Sequence, residues 1–472
     1  MQIAPLLLAS LALTTPLAAQ SFEPGDLYLY QPAFDGAASH DGAVVKVDLV
    51  TGNATKFLDL ETSSSRRDQL AYDPFRDRLI FQGGFTPNHT ELYLADAAGN
   101  VTSLGLASAA GPAAGAFAPR GDGNVYFQFS SDIFDLKRLD ATNTVHLLLD
   151  ASGAAPFAPS GWHTGLIQAM EYHAPTNSLL LGFGANQGIC AGGQAFDTSI
   201  RQLTLSADGT RVLAETCWQF DFLPGQFDGR IVGMSAMPGG DLLVTMDAFQ
   251  SGALPRMLRV DPVAQTATPF ATNDYLGDGS VVAGAYNHTL AKAVIADSFH
   301  DVLRSYAAGE SGAGASFAPG ISASSGTGEV ASLVEIGVAT GGPAMSASPL
   351  TLSGSAGGTQ AWQIEFGSAF GGEFYLVVGS LTGWSPGTPY AGLTVPLQPD
   401  VYTTFTINNA GGAFLPGSVG QLDANGSASA SFVLPPSVAP SFVGRTGYHA
   451  TLAFTSAFVP LGVTNAVRVT VQ

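Results

Sequence analysis

Charged and aromatic side chains stand immediately before several short apolar runs in the first two thirds of the chain. The residues in these positions are Arg67, Asp68, Trp162, His163, Asp228, Arg230, Asp278 and Glu329. Mixed charges beside an indole ring suit a polar ligand, either hydroxyl-rich or peptidic. Carboxylates that converge from several segments also suit Ca²⁺, which prefers hard oxygen ligands. The sequence therefore offers these residues as a candidate ligand site, with calcium as the cofactor they could hold.

Catalytic motifs are absent from the sequence. It contains no GxSxG nucleophile motif, no HExxH zinc motif, no phosphate-binding P-loop and no complete EF-hand loop. His163, His173 and His300 are far apart along the chain, so they form no local catalytic or metal motif. We therefore assign no catalytic residue, and a non-enzymatic function is favoured.

The chain has two cysteines, Cys190 and Cys217. An even pair in an exported chain is most simply one disulfide. Two thiols without a CxxC motif cannot supply a Cys-rich zinc site. The sequence predicts a Cys190–Cys217 disulfide that restrains a long connection.

Short apolar strands separated by polar turns recur through the first 340 residues. One type of hairpin is found at 69–81, 116–127, 169–181, 233–244 and 283–295. A second hairpin follows each of them, with a turn rich in Asp, Gly, Asn and Thr, which supply the backbone angles of tight turns. Four strands that recur every 45 to 65 residues, roughly, predict the blades of a β-propeller.

The two ends of this region indicate how the ring closes. The strand at 26–30 has no preceding partner, and a surplus strand at 329–336 ends the repeats. The late strand can complete the first blade, which removes exposed sheet edges. We predict six blades, with seven as the alternative count; two stacked β-sandwiches would leave the offset unexplained.

Propeller geometry turns strand order into a prediction about faces. Within each blade the strands are named a to d from the channel outwards. The connections from d to a and from b to c leave from one end of the ring, so residues just before strand a surround the channel mouth. The candidate residues named above would converge there. Three interpretations stay open: a ligand-binding mouth, a ring of structural ion pairs, and a catalytic site.

The last third of the chain has another composition. Between Gly337 and Gln472 the charged residues are Glu365, Glu373, Asp400, Asp423, Arg445 and Arg468. Alternating apolar runs, including 361–366, 374–378, 403–407, 428–434 and 466–471, are separated by Gly and Pro turns. Short strands at this spacing predict a β-sandwich.

Two stretches of the sandwich region carry a resemblance. They are the segment 375–383, which reads YLVVGSLTG, and the segment 417–436, which reads GSVGQLDANGSASASFVLPP. Together with Ser385-Pro386-Gly387 and Thr394-Val395-Pro396-Leu397 they resemble a C-terminal module of secreted multidomain proteins of planctomycete-type bacteria. The resemblance covers about the last 130 residues and implies a bacterial exported protein, with no catalytic residues to carry over.

The composition and the N-terminal segment limit the possible partners and locations of the protein. The net charge of −19 argues against nucleic acid as a partner, because phosphates repel an acidic surface. The short apolar start that ends in Leu17-Ala18-Ala19 is typical of a signal peptide, and no later run is long enough to span a membrane. The expected domains are a signal peptide (1–19), a propeller (20–338), a linker (339–345) and a sandwich (346–472).

These observations favour a secreted or surface-located binding protein, whose propeller mouth holds a polar small molecule, a glycan, a peptide or another surface protein. One alternative is an extracellular six-bladed hydrolase or lyase with a metal on the channel axis. Another is a structural envelope component in which both domains make protein contacts.

Overall fold

The structure is a computed structural model. It describes residues 22–31, 42–49, 51–60, 70–82, 91–105, 116–128, 135–149, 167–183, 190, 198–220, 230–247, 257–271, 281–297, 302–312, 314–317, 332–336 and 342–472. The expected signal peptide lies outside these ranges.

Twenty-four strands of the described residues form six four-stranded antiparallel sheets. In chain order they are β1 (Leu27–Gln31), β2 (Gly42–Val47), β3 (Ala54–Leu60), β4 (Leu70–Asp73), β5 (Arg78–Gln82), β6 (Leu92–Ala95), β7 (Val101–Ser103), β8 (Phe117–Pro119), β9 (Val125–Phe127), β10 (Leu136–Leu139), β11 (Val145–Leu149), β12 (Ala169–His173), β13 (Ser178–Phe183), β14 (Thr198–Leu205), β15 (Val212–Phe220), β16 (Arg230–Ala236), β17 (Leu242–Asp247), β18 (Met257–Asp261), β19 (Thr266–Pro269), β20 (Val281–Asn287), β21 (Lys292–Asp297), β22 (Val302–Tyr306), β23 (Ala315–Phe317) and β24 (Ser332–Glu335). Blade one is β24-β1-β2-β3, and each later group of four strands forms the next blade.

The ring is closed by the last strand. β24 pairs antiparallel with β1, placing Leu333 opposite Leu29 and Val334 opposite Tyr28. The innermost strands contact one another in sequence around the ring, and β24 contacts β4 to complete the circle. The predicted six-bladed propeller and its closure by a late strand are confirmed.

Burial falls from the inside of each blade to the outside. All residues of the innermost strand β4 and of the third strand β6 are buried, whereas the outermost strand β7 is largely exposed. The cause is that both faces of a blade pack against adjacent blades near the channel, so inner strands need apolar side chains on both sides. In the described part of the chain, each of the six blade boundaries has its own apolar core.

Strand direction gives the ring two distinct ends. We call the end where strands a and c begin the mouth end, and the end that carries the a–b and c–d turns the turn end. At the turn end, Asp77, Asn177 and Ala291 adopt positive φ at the same place in three a–b turns. Side chains at this end reach the next blade: His173 Nε2 lies 2.6 Å from Gly240 O, and Tyr126 donates to Gly209 O.

The C-terminal region is a β-sandwich. Its elements are β25 (Ala344–Ser348), β26 (Thr351–Leu352), β27 (Gly358–Glu365), β28 (Phe374–Ser380), β29 (Thr388–Tyr390), β30 (Leu393–Val395), α1 (Val401–Asn408), β31 (Val419–Gln421), β32 (Ser427–Leu434), β33 (Thr446–Phe454), β34 (Pro460–Val463) and β35 (Val467–Val471). The sheet β25-β27-β32 faces the sheet β26-β35-β33-β28-β31, to which β34 is added at β33. Trp362, Val377, Phe432 and Val469 lie in the shared core.

The prediction of a strand at 403–407 is wrong, because these residues belong to helix α1. Asp400 caps the helix by accepting from Thr403 N at 2.9 Å, and Thr403 Oγ1 accepts from Asp400 N in return. This reciprocal capping box satisfies two backbone donors at the helix start. Tyr402 and Thr406 are buried against β28, so tertiary packing and the cap override the alternating β-branched pattern.

The sandwich packs onto the turn end of the propeller. Arg468 Nη2 lies 2.7 Å from Asp26 Oδ1, and Tyr448 donates to Glu23 at 2.9 Å. Trp384 Nε1 donates to Phe22 O at 2.6 Å. The apolar core between blades one and two continues into the sandwich through Trp384 and Tyr448. The two domains therefore share one core and one buried set of charges.

Candidate functional site

Most of the residues expected around the channel mouth lie outside the described ranges. These are Arg67, Asp68, Trp162, His163, Asp228, Asp278 and Glu329. The backbone of Arg230 is described and is the first residue of β16. Its position at the start of an innermost strand is the one expected from the repeat. The convergence of the eight side chains stays a prediction.

The predicted disulfide is present. Cys190 and Cys217 have Cα atoms 5.5 Å apart and are joined by an S–S bond. Cys217 lies in β15, the outermost strand of blade four, opposite Arg201. Cys190 belongs to the connection between β13 and β14, which leaves blade four at the mouth end. The covalent bond therefore ties a mouth-end connection to its own blade.

The innermost strands of all six blades surround a cavity of about 120 Å³. Its walls are formed by residues 70–72, 74, 117, 119, 169–171, 232–235, 284–286 and 333–335. The strands approach closely at blades five and six, where a Cβ on Gly233 would lie 2.3 Å from Gly284 O. Only glycine allows this approach. The cavity is far smaller than the roughly 300–1,000 Å³ of sites that enclose drug-sized ligands.

Glu171 places a carboxyl group in the cavity wall. It lies in the middle of β12 and accepts a hydrogen bond from the backbone N–H of Ala236 in blade five. Burial raises the pKa of Glu171 to about 8, and the bond from Ala236 offsets only part of this shift. At neutral pH the isolated carboxyl is therefore largely protonated.

A second carboxyl of the cavity wall, Glu335, is fully engaged in structure. It accepts from the backbone N–H of His288 at 2.9 Å, and its Oε2 lies 2.9 Å from His288 Nδ1. It also accepts from Thr289 N at 3.3 Å. These bonds join the end of β24 to the a–b turn of blade six. Glu335 thus fastens the strand that closes the ring.

Among the described residues, no group of three His, Cys, Asp or Glu side chains could hold a metal ion. The helices that the structure describes include none long and apolar enough to cross a bilayer. The acids proposed for Ca²⁺ at the mouth lie outside the described ranges.

Sequence reasoning missed Glu171 as a site residue. It considered residues that precede each strand a, whereas Glu171 lies within one. Aligning the blades on their a–b turns places Ala71, Ala118, Ser235, Ala285 and Val334 at the equivalent positions. The sequence could have revealed Glu171 as the one acid among small or apolar residues at the equivalent position of the six blades.

No family model matches the chain, and no curated protein matches it. Solved structures with similar folds include the β-propeller domain of Cps50 (Swd1) from Myceliophteria thermophila. That chain is 13% identical with a TM-score of 0.37, and the match covers 74% of this chain and 94% of that one.

Two further similar structures come from a surface protein and an enzyme. PorZ, a surface component of the type-IX secretion system of Porphyromonas gingivalis, is 14% identical with a TM-score of 0.39; the match covers 96% of this chain and 59% of that one. An oligogalacturonate lyase in complex with manganese is 13% identical with a TM-score of 0.35, over 60% of this chain and 71% of that one. At these scores the likenesses say nothing about a ligand or an activity. The chain is an all-β protein with a six-bladed propeller and a C-terminal β-sandwich.

Proposed function

We propose that this chain is an exported, non-enzymatic binding protein whose ligand docks at the mouth end of the propeller channel. The observation that carries the proposal is the position of the sandwich. It packs on the turn end through Arg468, Tyr448 and Trp384, and Ala347 N donates to Thr289 O in the a–b turn of blade six. We therefore expect the ligand to approach the channel from the opposite end. The sandwich then serves retention or assembly, while the propeller serves recognition.

The disulfide supports this assignment of the two ends. A cross-link restricts the conformations of the segment that it closes, and this one holds a mouth-end connection against blade four. Restraining a recognition loop before binding lowers the entropy lost on binding. A disulfide also fits an oxidising, extracytoplasmic location.

The ligand chemistry follows from the residues expected at the mouth. Asp68, Asp228 and Asp278 supply acceptors, Arg67 supplies a forked donor, and Trp162 supplies a flat apolar surface. This combination suits a glycan, a small polar molecule or a peptide segment presented by another surface protein.

The proposal is tested by screening the purified chain on glycan and peptide arrays, then titrating each hit by calorimetry. The variant Asp68→Asn/Asp228→Asn/Asp278→Asn is expected to weaken binding at least tenfold with an unchanged melting temperature. The matched control is Asp96→Asn/Asp208→Asn/Asp261→Asn. It removes three charges from turn-end turns, and asparagine keeps the acceptor that each turn uses. Equal affinity in both variants would overturn the proposal.

The alternative, an enzyme with a metal on the channel axis, can be tested with the same purified protein. Melting curves with EDTA and with added Ca²⁺ report a metal bound to the folded state, because such binding raises apparent stability. If EDTA lowers the melting temperature and abolishes binding of the hits, the metal-dependent alternative is favoured instead.

A further inference from the structure

Glu171 occupies a position that is otherwise small or apolar in the ring. Blades two, three and six carry alanine there, blade one carries Val334, and blade five carries Ser235. The six positions form one level of the channel wall. An acid is therefore not a requirement of the propeller architecture at this level.

Neighbouring blades show what the fold uses at this level. Ser235 Oγ accepts from the backbone N–H of Tyr286 in blade six at 2.7 Å. Glu171 accepts in the same way from Ala236 in blade five. Ala71 faces Pro119, which has no N–H to donate. One hydroxyl oxygen is enough for this contact, so the second oxygen and the ionisable proton of Glu171 exceed the structural need.

The carboxyl of Glu171 has no ionic partner in the part of the chain that the structure describes. Its hydrogen bond to Ala236 is the one contact that favours the charged form. The other acid of the wall, Glu335, is already bound to His288. A desolvated carboxyl without an ionic partner ionises more readily when a cation is brought to it.

We propose that the channel cavity takes the ammonium group of a ligand, a protonated primary amine, with the Glu171 carboxylate as its counter-ion. This rests on the proposed function, since it makes the channel the place where part of the ligand binds. One carboxylate provides too few oxygens for Ca²⁺, which takes six to eight, and the described residues offer no group of three metal ligands. A cavity of about 120 Å³ admits the head group of a ligand and not its whole body.

The same chemistry can come from two sources, a free alkylamine or a lysine side chain of a peptide. The experiment uses methylammonium, with methanol as the uncharged probe of similar size, and a pair of tripeptides, Ac-Gly-Lys-Gly and its Nζ-acetylated form. Binding is followed by NMR chemical-shift titration of the full chain. Wild type is expected to bind methylammonium saturably and methanol not at all. Preference for the lysine peptide over its acetylated form would assign the source to a peptide, and binding of methylammonium alone would assign it to a free amine.

Three variants decide the role of the carboxyl. Glu171→Gln keeps an acceptor for Ala236 and removes the charge, and Glu171→Ser copies the residue of blade five; both are expected to bind amines at least tenfold more weakly. The control Tyr126→Phe removes another inter-blade bond, the one to Gly209 O outside the cavity wall, without changing charge and is expected to keep wild-type affinity. Because the serine variant reproduces a residue already present in the ring, it guards against a loss caused by misfolding.

Two results would overturn the inference: amine binding that survives both Glu171 substitutions, or no saturable binding of either amine by wild type. The proposed function is judged separately. If the triple variant of the mouth loses array hits while amines fail to bind, the mouth remains the ligand site and only the cavity inference falls.

Discussion

Two of the arginines that join neighbouring parts of this molecule differ in the groups that they meet. At the sandwich–propeller junction, the buried Arg468 faces the carboxylates of Asp26 and Glu23. At the boundary of blades three and four, Arg120 donates to the carbonyl oxygen of Ala207 and to Asn177 Oδ1, near the surface. Arg468 pairs with carboxylates across its junction and away from water. Across its own junction Arg120 meets neutral groups near the surface, and its carboxylate neighbour, the exposed Asp122, belongs to the same turn as Arg120.

The pKa values of the charged groups at the sandwich–propeller junction reflect this difference. Burial alone would lower the pKa of Arg468, yet the carboxylates of Asp26 and Glu23 raise it overall. Burial also raises the pKa of Glu23, and the nearby Arg468 reduces that shift. Each charge is therefore tolerated because its partner is present. Without Arg468, Glu23 loses its cation and Asp26 keeps only Lys46, whose Nζ lies 2.6 Å from Asp26 Oδ2. Without Arg120, the carbonyl oxygen of Ala207 becomes accessible to water, which can take the place of the lost donor.

The largest expected effect is the loss of the buried tie. Arg468→Met should lower the free energy of unfolding by about 3–5 kcal/mol, because Glu23 loses its cation and the buried Asp26 keeps only Lys46. Urea denaturation monitored by tryptophan fluorescence measures the change. Arg445→Met, at an exposed arginine of the same domain, is the control and should be near neutral. Similar midpoints for the two variants would mean that the junction does not depend on the pair.

Loss of the Cys190–Cys217 disulfide at the mouth end should have the next largest effect on stability. Cys190→Ser/Cys217→Ser removes a cross-link between residues 27 apart in sequence. Chain entropy predicts a loss of about 3 kcal/mol on opening such a loop. Thermal denaturation of the oxidised wild type, the reduced wild type and the double variant checks this. An unchanged melting temperature would show that the disulfide contributes nothing to the stability of the folded chain.

The tie between blades three and four should matter less. Arg120→Met removes hydrogen bonds to Ala207 and Asn177 but leaves acceptors that water can satisfy, so a loss of about 1 kcal/mol is expected. The exposed Arg211→Met is the control, again in urea. A loss as large as that of Arg468→Met would erase the distinction between the two junctions.

The smallest effect concerns a carboxylate beside the Arg120 tie. The hydrogen bond from Ser206 Oγ, with those from Thr210, lowers the pKa of Asp208 from 3.8 to about 2. A depressed folded-state pKa stabilises the fold above pH 4, and this contribution is lost as the pH falls towards 2. Asp208→Asn should flatten that part of the stability profile, with Asp122→Asn as control. An unchanged acid profile in the Asp208 variant would contradict the assignment.

Much of the propeller could be predicted from the sequence because its signals are local and repeated. Strands buried on both faces are continuous apolar runs, and turns such as that at Asp140 carry their own Asp and Thr hydrogen bonds. The offset between Leu27–Gln31 and Ser332–Glu335 was visible as an unpaired strand at each end. Repetition therefore made both the blade count and the closure readable.

Other parts depend on contacts that a linear pattern does not carry. Helix α1 has the alternation of a strand, and its identity is set by the Asp400 cap and by burial of Tyr402. The junction of Arg468 with Asp26 joins residues 442 apart. Glu171 draws its chemistry from its surroundings and not from a motif, so only the register of the blades reveals it.

The Glu171 carboxyl in the channel wall is proposed to bind a cationic group of the ligand. The most direct measurement is the ionisation of Glu171 itself, by carbon-13 NMR titration of glutamate-labelled protein, with Glu171→Gln to assign its signal. In the described residues no charged side chain contributes to its shifted pKa, which lies at about 8 instead of 4.5. The other titratable groups near it are His173, on the same strand, Tyr72 and Tyr286 in the cavity wall, and Glu335 with His288. We predict that the Glu171 carboxyl titrates with a midpoint near pH 8, which falls by a unit or more with saturating methylammonium. A midpoint near pH 4.5 with and without the amine would contradict the proposal.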